Sequence, residues 1–139
     1  MNMEGIKKLF KDVFSNRHEI TVAYLYGSIL KKDNFEDIDI GILIDNTFKN
    51  DALYEAKLAG KLETIYKENC NEQKTIDLQI LNKKPLRFLF SVLKTSEIIY
   101  SRNEHKRVNF ETKIMKEYLD MKPYYEYYDK MRYIRYANR

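Results

Sequence analysis

The sequence predicts an α/β domain in which a single sheet of about four strands is covered by helices. Three observations predict it. Four short runs rich in β-branched and aromatic residues recur along the chain. Amphipathic segments of helical period lie between them. A length of 139 residues leaves room for one compact core, so residues 1–139 read as a single domain.

The elements follow in order. Gly5 to Phe14 reads as a short amphipathic helix, with Ile6, Leu9, Phe10 and Val13 on one side. Ile20 to Tyr26 reads as a buried strand that ends at Gly27-Ser28. Ile29 to Lys32 is expected to form a short helix. Asp37 to Ile44 is the clearest strand: Ile38, Ile40, Ile42 and Ile44 point one way, and Asp37, Asp39, Gly41 and Leu43 the other. Asp51 to Asn69 is an amphipathic helix with Tyr54, Leu58, Leu62 and Ile65 as its apolar stripe. Thr75 to Leu81 is a third strand, with Ile76, Leu78 and Ile80 inward and Asp77 on the opposite face. Pro85 opens a helix that reaches Lys94, and Glu97 to Tyr100 is a short fourth strand. From Asn103 a long closing helix is expected, with a break or kink at Pro123.

Composition excludes several function classes. The 11 residues from Ile20 to Leu30 carry no charge, whereas a membrane-spanning helix needs about 18 or more apolar residues. The first 14 residues lack a signal-peptide cleavage pattern. One cysteine, Cys70, makes neither an internal disulfide nor a zinc cluster. A cytosolic, that is cytoplasmic, location is therefore expected. No Gly-x-x-x-x-Gly-Lys-Ser/Thr loop is present, so a Walker-type NTPase is excluded. His18 and His105 read as surface residues.

The chemistry is carried by the polar faces of the strands. Asp37 and Asp39 are two residues apart, so both carboxylates project from one side. Two bare carboxylates that close repel, and one has its pKa raised. A hard divalent cation relieves the repulsion, and Mg²⁺ takes one or two carboxylates together with phosphate oxygens. Asp77 stands in the same relation to its own strand. If the two strands are neighbours, three carboxylates converge as two-metal phosphoryl transfer requires. Gly27 permits close approach of the backbone to an anion, and Ser28 and the following amides can donate to phosphate oxygens. Asp45, six residues past Asp39, is about 20 Å away at ~3.3 Å per residue and is outside any such site. Asp33 and Glu36 are assigned to a solvated loop.

Tyr26-Gly27-Ser28, Asp37-Ile38-Asp39-Ile40 and Ile76-Asp77-Leu78 with Leu81-Asn82, in that order, resemble the polymerase-β nucleotidyltransferase superfamily. More narrowly, the chain is similar to the minimal nucleotidyltransferases, the MNT or MntA-like antitoxins paired with HEPN-domain toxins. The likeness covers nearly the whole chain and includes Pro85-Leu86-Arg87-Phe88 and the closing helix. It implies a mixed sheet with helices packed on one side. It also implies that Asp37, Asp39 and Asp77 hold Mg²⁺, as two ions, and that Gly27 and Ser28 bind the triphosphate of ATP. Asp37 and Asp39 would bridge both ions, and Asp77 would favour the deprotonated acceptor. One departure is the eight residues from Ile29 to Glu36, two fewer than the family usually has there; Glu36 also stands where serine is common. The resemblance implies transfer of AMP to a tyrosine of a cognate HEPN toxin. The alternatives are an antitoxin that acts by contact alone and a nucleotidyltransferase of small molecules. Neither histidine follows an arginine by the four to six residues of the HEPN ribonuclease motif, so this chain is not the toxin of such a pair.

The net charge of +4 sits at one end. Residues 1–100 carry 15 basic and 15 acidic side chains, and residues 101–139 carry 10 and 6. There Tyr124, Tyr125, Tyr127, Tyr128, Tyr133 and Tyr136 alternate with Lys130, Arg132, Arg135 and Arg139. Three readings stay open: a helix whose tyrosines partly cover the core and partly sit in water, a protein interface, and base stacking with phosphate contacts. The family resemblance points to the interface.

Overall fold

Ile20–Tyr26 carries no charge, and in the computed structural model it becomes strand β1, buried at six of its seven residues. Burial on both faces explains the continuous apolar run. The structure describes residues 2–31 and 35–138. β1 lies between β2 (Asp37–Ile44) and β4 (Glu97–Ser101), antiparallel to both. β3 (Thr75–Ile80) pairs parallel with β2, so the order across this mixed sheet is β3-β2-β1-β4. A parallel pair needs a long crossover, which α2 (Tyr54–Cys70) supplies.

Helices cover both faces rather than one. The isoleucines of β2 meet α1 (Met3–Ser15) and α2, where Ile6, Phe10, Phe14, Leu58, Leu62 and Tyr66 complete the main core. Removing a buried ring such as Phe10 costs about 3–5 kcal/mol, a large share of the ~5–15 kcal/mol that holds a small domain together. On the other face Val22, Tyr24 and Leu81 meet Leu89 and Val92 of α3 (Leu86–Thr95) and Ile114 of α4 (Glu104–Ala137). Gly41 makes that contact possible, because a Cβ there would fall 2.8 Å from Leu81 Cδ1. The apolar run after α2 therefore serves both faces. Leu81 is fully buried beyond the end of β3, whereas Ile80 is only half-buried.

Local signals set the helix ends. Asn2 Oδ1 accepts from the Gly5 amide at 2.9 Å, and Asn103 Oδ1 from the Lys106 amide at 3.1 Å, as N-caps do. α2 stops at Asn71, whose φ of +55° is the left-handed cap conformation. Its buried stripe continues through Tyr66 rather than Ile65, keeping the i, i+4 spacing from Tyr54. α4 runs through Pro123 without the expected break. Contacts to α3 brace it on both sides. Tyr118 stacks on Phe90 with centroids 3.6 Å apart, and the Arg87 guanidinium lies 4.7 Å over the Tyr125 ring while donating to Asp129 at 2.9 Å. No helix among the described residues is long and apolar enough to cross a membrane.

Candidate active site

At the open end of the α3/α4 face, β1 finishes at Tyr26 and the chain turns sharply. Gly27 has φ +88° and ψ −155°, a region essentially reserved for glycine. One turn of 3₁₀ helix follows over Ser28–Leu30, closed by Leu30 N–H to the Gly27 carbonyl at 3.2 Å. This is tighter than the helix expected over Ile29 to Lys32; Lys32, Asp33 and Arg139 lie outside the described residues.

The strand register brings the predicted residues into one row. Tyr26 lies opposite Asp39 across the antiparallel pair, and Asp39 lies opposite Asp77 across the parallel pair. Neighbouring strands are ~4.8 Å apart, so these three side chains rise side by side. Asp37 is two residues along the same face, opposite Thr75. Gly27 belongs to the same corner, since a Cβ on it would sit 2.0 Å from Asp39 Oδ2. The glycine is thus demanded twice, by its backbone angle and by the carboxylate against it.

The electrostatics are those of crowded acids. Burial, then the charges of Asp77 and Asp37, hold the Asp39 carboxyl above the usual carboxylate range. The same burial, with Asp39 and Asp77 beside it, pushes the Tyr26 phenol up to about 12. The Tyr26 hydroxyl is buried and has no hydrogen-bond partner among the described residues, while its ring meets Phe88 edge-on at 6.4 Å. Gln79 Nε2 donates to Asp77 Oδ2 at 3.3 Å. Sequence alternation places Tyr26 and Gln79 on the same face as the carboxylates.

A hard, oxygen-seeking cation fits this donor set. The candidate groups are all carboxylates, they share one face, and burial, then the charges beside it, raise the proton affinity of Asp39. The side chains are not yet gathered, however: among the described residues no three His, Cys, Asp or Glu side chains form a ready coordination group. Asp37 and Asp77 are both exposed, and the like charges of the row oppose their close approach. Asp45 stands apart, as expected. It lines a cleft of about 530 Å³ with Asn46, Asn82, Lys106 and Lys113 at the opposite end of β2. His18, His105 and Glu36 are exposed.

Comparison with known proteins gives the family and the fold. A family profile described as "Polymerase beta, Nucleotidyltransferase" matches residues 8–105. No curated protein sequence matched the chain. Among solved structures, a tri-AMPylated Shewanella oneidensis HEPN toxin in complex with MNT antitoxin aligns over 100% of both chains, at TM-score 0.65 and 19% identity. A toxin–antitoxin with AMP-PNP aligns over 100% of both chains at TM-score 0.63 and 20% identity. A toxin–antitoxin MntA-HepT structure aligns over 98% of this chain and 96% of its own, at TM-score 0.60 and 19% identity. At these identities the likeness is one of fold.

Proposed function

Because the chain belongs to the polymerase-β nucleotidyltransferase family, we propose that it transfers AMP from ATP to a tyrosine of a cognate HEPN-type toxin, as a cytoplasmic antitoxin. The observation that carries the reading is the row Tyr26–Asp39–Asp77 with Gly27 against Asp39. It joins an anion-accepting turn to a cluster of carboxylates.

Gly27 lets the backbone come close to the triphosphate, and Ser28 adds a hydroxyl donor. Asp37, Asp39 and Asp77 would hold Mg²⁺, as two ions. When bound, the cations would neutralise phosphate charge and favour the deprotonated acceptor. Asp77, on the edge strand β3, would be the carboxylate that favours the deprotonated acceptor through the bound cation. The tyrosine oxygen attacks the α-phosphorus, the bond to the bridging oxygen breaks, and pyrophosphate leaves while the phenolic proton is released. The exposed tyrosines and arginines of outer α4 supply the surface that holds the toxin. The resemblance of the whole chain to structures that contain HEPN toxin and AMP-PNP supports both parts of the proposal.

Intact-mass measurement on the toxin tests it. Incubation with this protein, ATP and Mg²⁺ should add one or more AMP units, each about 329 Da, and the double variant Asp37→Ala, Asp39→Ala should add none while keeping a native circular-dichroism spectrum. Full transfer in excess EDTA, or by the double variant, would remove the metal mechanism. The ungathered carboxylates favour one rival, an antitoxin that neutralises by contact alone. Equal protection by the double variant and the wild type, with no mass added by either, would establish that rival.

A further inference from the structure

The β2/β3 ladder carries the acidic site at its end, which is where a parallel pair frays most easily. Its last rung pairs Asp37 with Thr75, and the next rung inward but one pairs Asp39 with Asp77. Asp37, Asp39 and Asp77 set like charges across this end of the ladder, and like charges oppose close approach of the two strands. Something must oppose that, because a bridging cation with bonds near 2 Å tolerates little spread between its ligands.

Lys74 is placed to do so. It immediately precedes β3, its side chain is only 13% exposed, and its ammonium donates to the carbonyl of Phe35, two residues before Asp37. The same ammonium lies 4.9 Å from the centre of the Phe35 ring and 3.1 Å from Glu72 Oε1. Phe35 is itself 9% exposed and packed in the main core. The side chain therefore replaces the rung that the backbone ladder no longer makes. It links a core-anchored residue before β2 to the start of β3, across 39 residues of sequence. On the outer edge of β3, Glu63 Oε1 accepts from the Ile76 amide at 2.9 Å; that tie fixes β3 to α2 but does not reach β2.

We propose that Lys74 is a positioning residue: by clamping the Phe35 carbonyl to the start of β3 it keeps the strand positions of Asp37 and Asp39 in register with Asp77, so that a cation can draw the three carboxylates together. The inference rests on the metal-site reading given above. A charge-assisted hydrogen bond to a carbonyl, largely shielded from water, is stronger than a neutral one and is suited to a strand end under repulsion. Methionine at this position keeps an apolar stem against Phe35 and removes only the charge and the donor.

Mn²⁺, read by electron paramagnetic resonance on the full-length protein, is the probe. Lys74→Met should remain cooperatively folded, bind Mn²⁺ about tenfold or more weakly, and lose kcat for AMP transfer with little change in the KM for ATP. Lys74→Arg, which still reaches the carbonyl and the ring, should recover most of the Mn²⁺ affinity. A folded Lys74→Met with wild-type Mn²⁺ affinity overturns the role of Lys74 and leaves the metal site standing. Absence of Mn²⁺ binding by the wild type overturns both. Should Lys74→Met fail to fold, Lys74→Gln is read in the same assay; loss of folding there as well makes Lys74 a stability residue and overturns the proposal.

Discussion

The acidic end of the sheet and the outer half of α4 differ in what holds their side chains in place. At the sheet, β1 is buried at six of seven positions, and the row Tyr26–Asp39–Asp77 is set by hydrogen-bonded register. In α4, one residue of 34, Ile114, is buried, and Tyr124, Tyr127, Tyr128, Tyr133 and Tyr136 are 59–75% exposed. The first region has atoms fixed from several directions at once. The second is a helix that Tyr118, Tyr125 and Asp129 tie to α3. Chemistry on phosphorus depends on placement to a fraction of an ångström, and strands locked in a core provide it. Recognition of a partner needs accessible aromatic and cationic groups, and a projecting helix provides those without a core of its own.

If that contrast is right, a single methyl group should do more damage at the sheet than the loss of seventeen residues does at the tail. Gly27→Ala forces a side chain into a glycine-only backbone region and against Asp39. It should cost about 1–3 kcal/mol of stability in urea unfolding. AMP transfer should fall about 100-fold, since a shift of 1 Å is enough for that. An active, stable Gly27→Ala would place the triphosphate elsewhere. The next effect belongs to the tail. Ending the chain at Lys122 should raise the Kd for the toxin at least about tenfold in calorimetric titration, because buried Tyr and Arg anchors dominate interfaces. Circular dichroism should show a folded domain with a nearly unchanged Tm, since no core residue is lost. A truncated protein that unfolds would make outer α4 part of the core. Retention of RNA by the intact protein, falling steeply with salt, would assign the tail to nucleic acid instead.

Smaller effects sharpen the same comparison. The carboxyl of Asp39 is held above its ordinary value in the fold, so ionising it works against folding. That cost is fully present above the raised folded value and vanishes below the unfolded value near 3.8. In metal-free buffer, Asp39→Asn should therefore raise Tm at pH 7, with the gain shrinking as the pH falls through the carboxylate range. A constant gain across that range would mean the effect is not electrostatic. The smallest change is expected from Arg87→Met, which removes the clasp on Tyr125 and Asp129. Amide exchange should quicken in residues 124–137 while the sheet amides and Tm stay as they are. Unchanged exchange would show that α4 holds its outer turns without α3.

Much of this was legible before the structure because it repeats locally. Period-2 alternation in Asp37–Ile44 marks both its buried isoleucines and its acidic face, and β1 and β2 begin and end where the pattern does. The spacing of Tyr54, Leu58 and Leu62 marks the buried side of α2. The candidate residues Asp37, Asp39, Asp77, Gly27 and Ser28 follow from the same local patterns and from the order of the motifs. What tertiary structure alone decided are relations between distant segments. They include the strand order β3-β2-β1-β4 that sets Asp39 opposite Asp77, the cover of helices on both faces, and the contact of Gly27 with Asp39. They also include the continuity of α4 through Pro123, where α3 outweighs a local helix-breaking preference, and the clamp of Lys74 on Phe35. Residue type and spacing record which face of an element is apolar. They do not record which elements meet, because that is settled by loop closure and packing summed over the whole core, and no local period carries that sum.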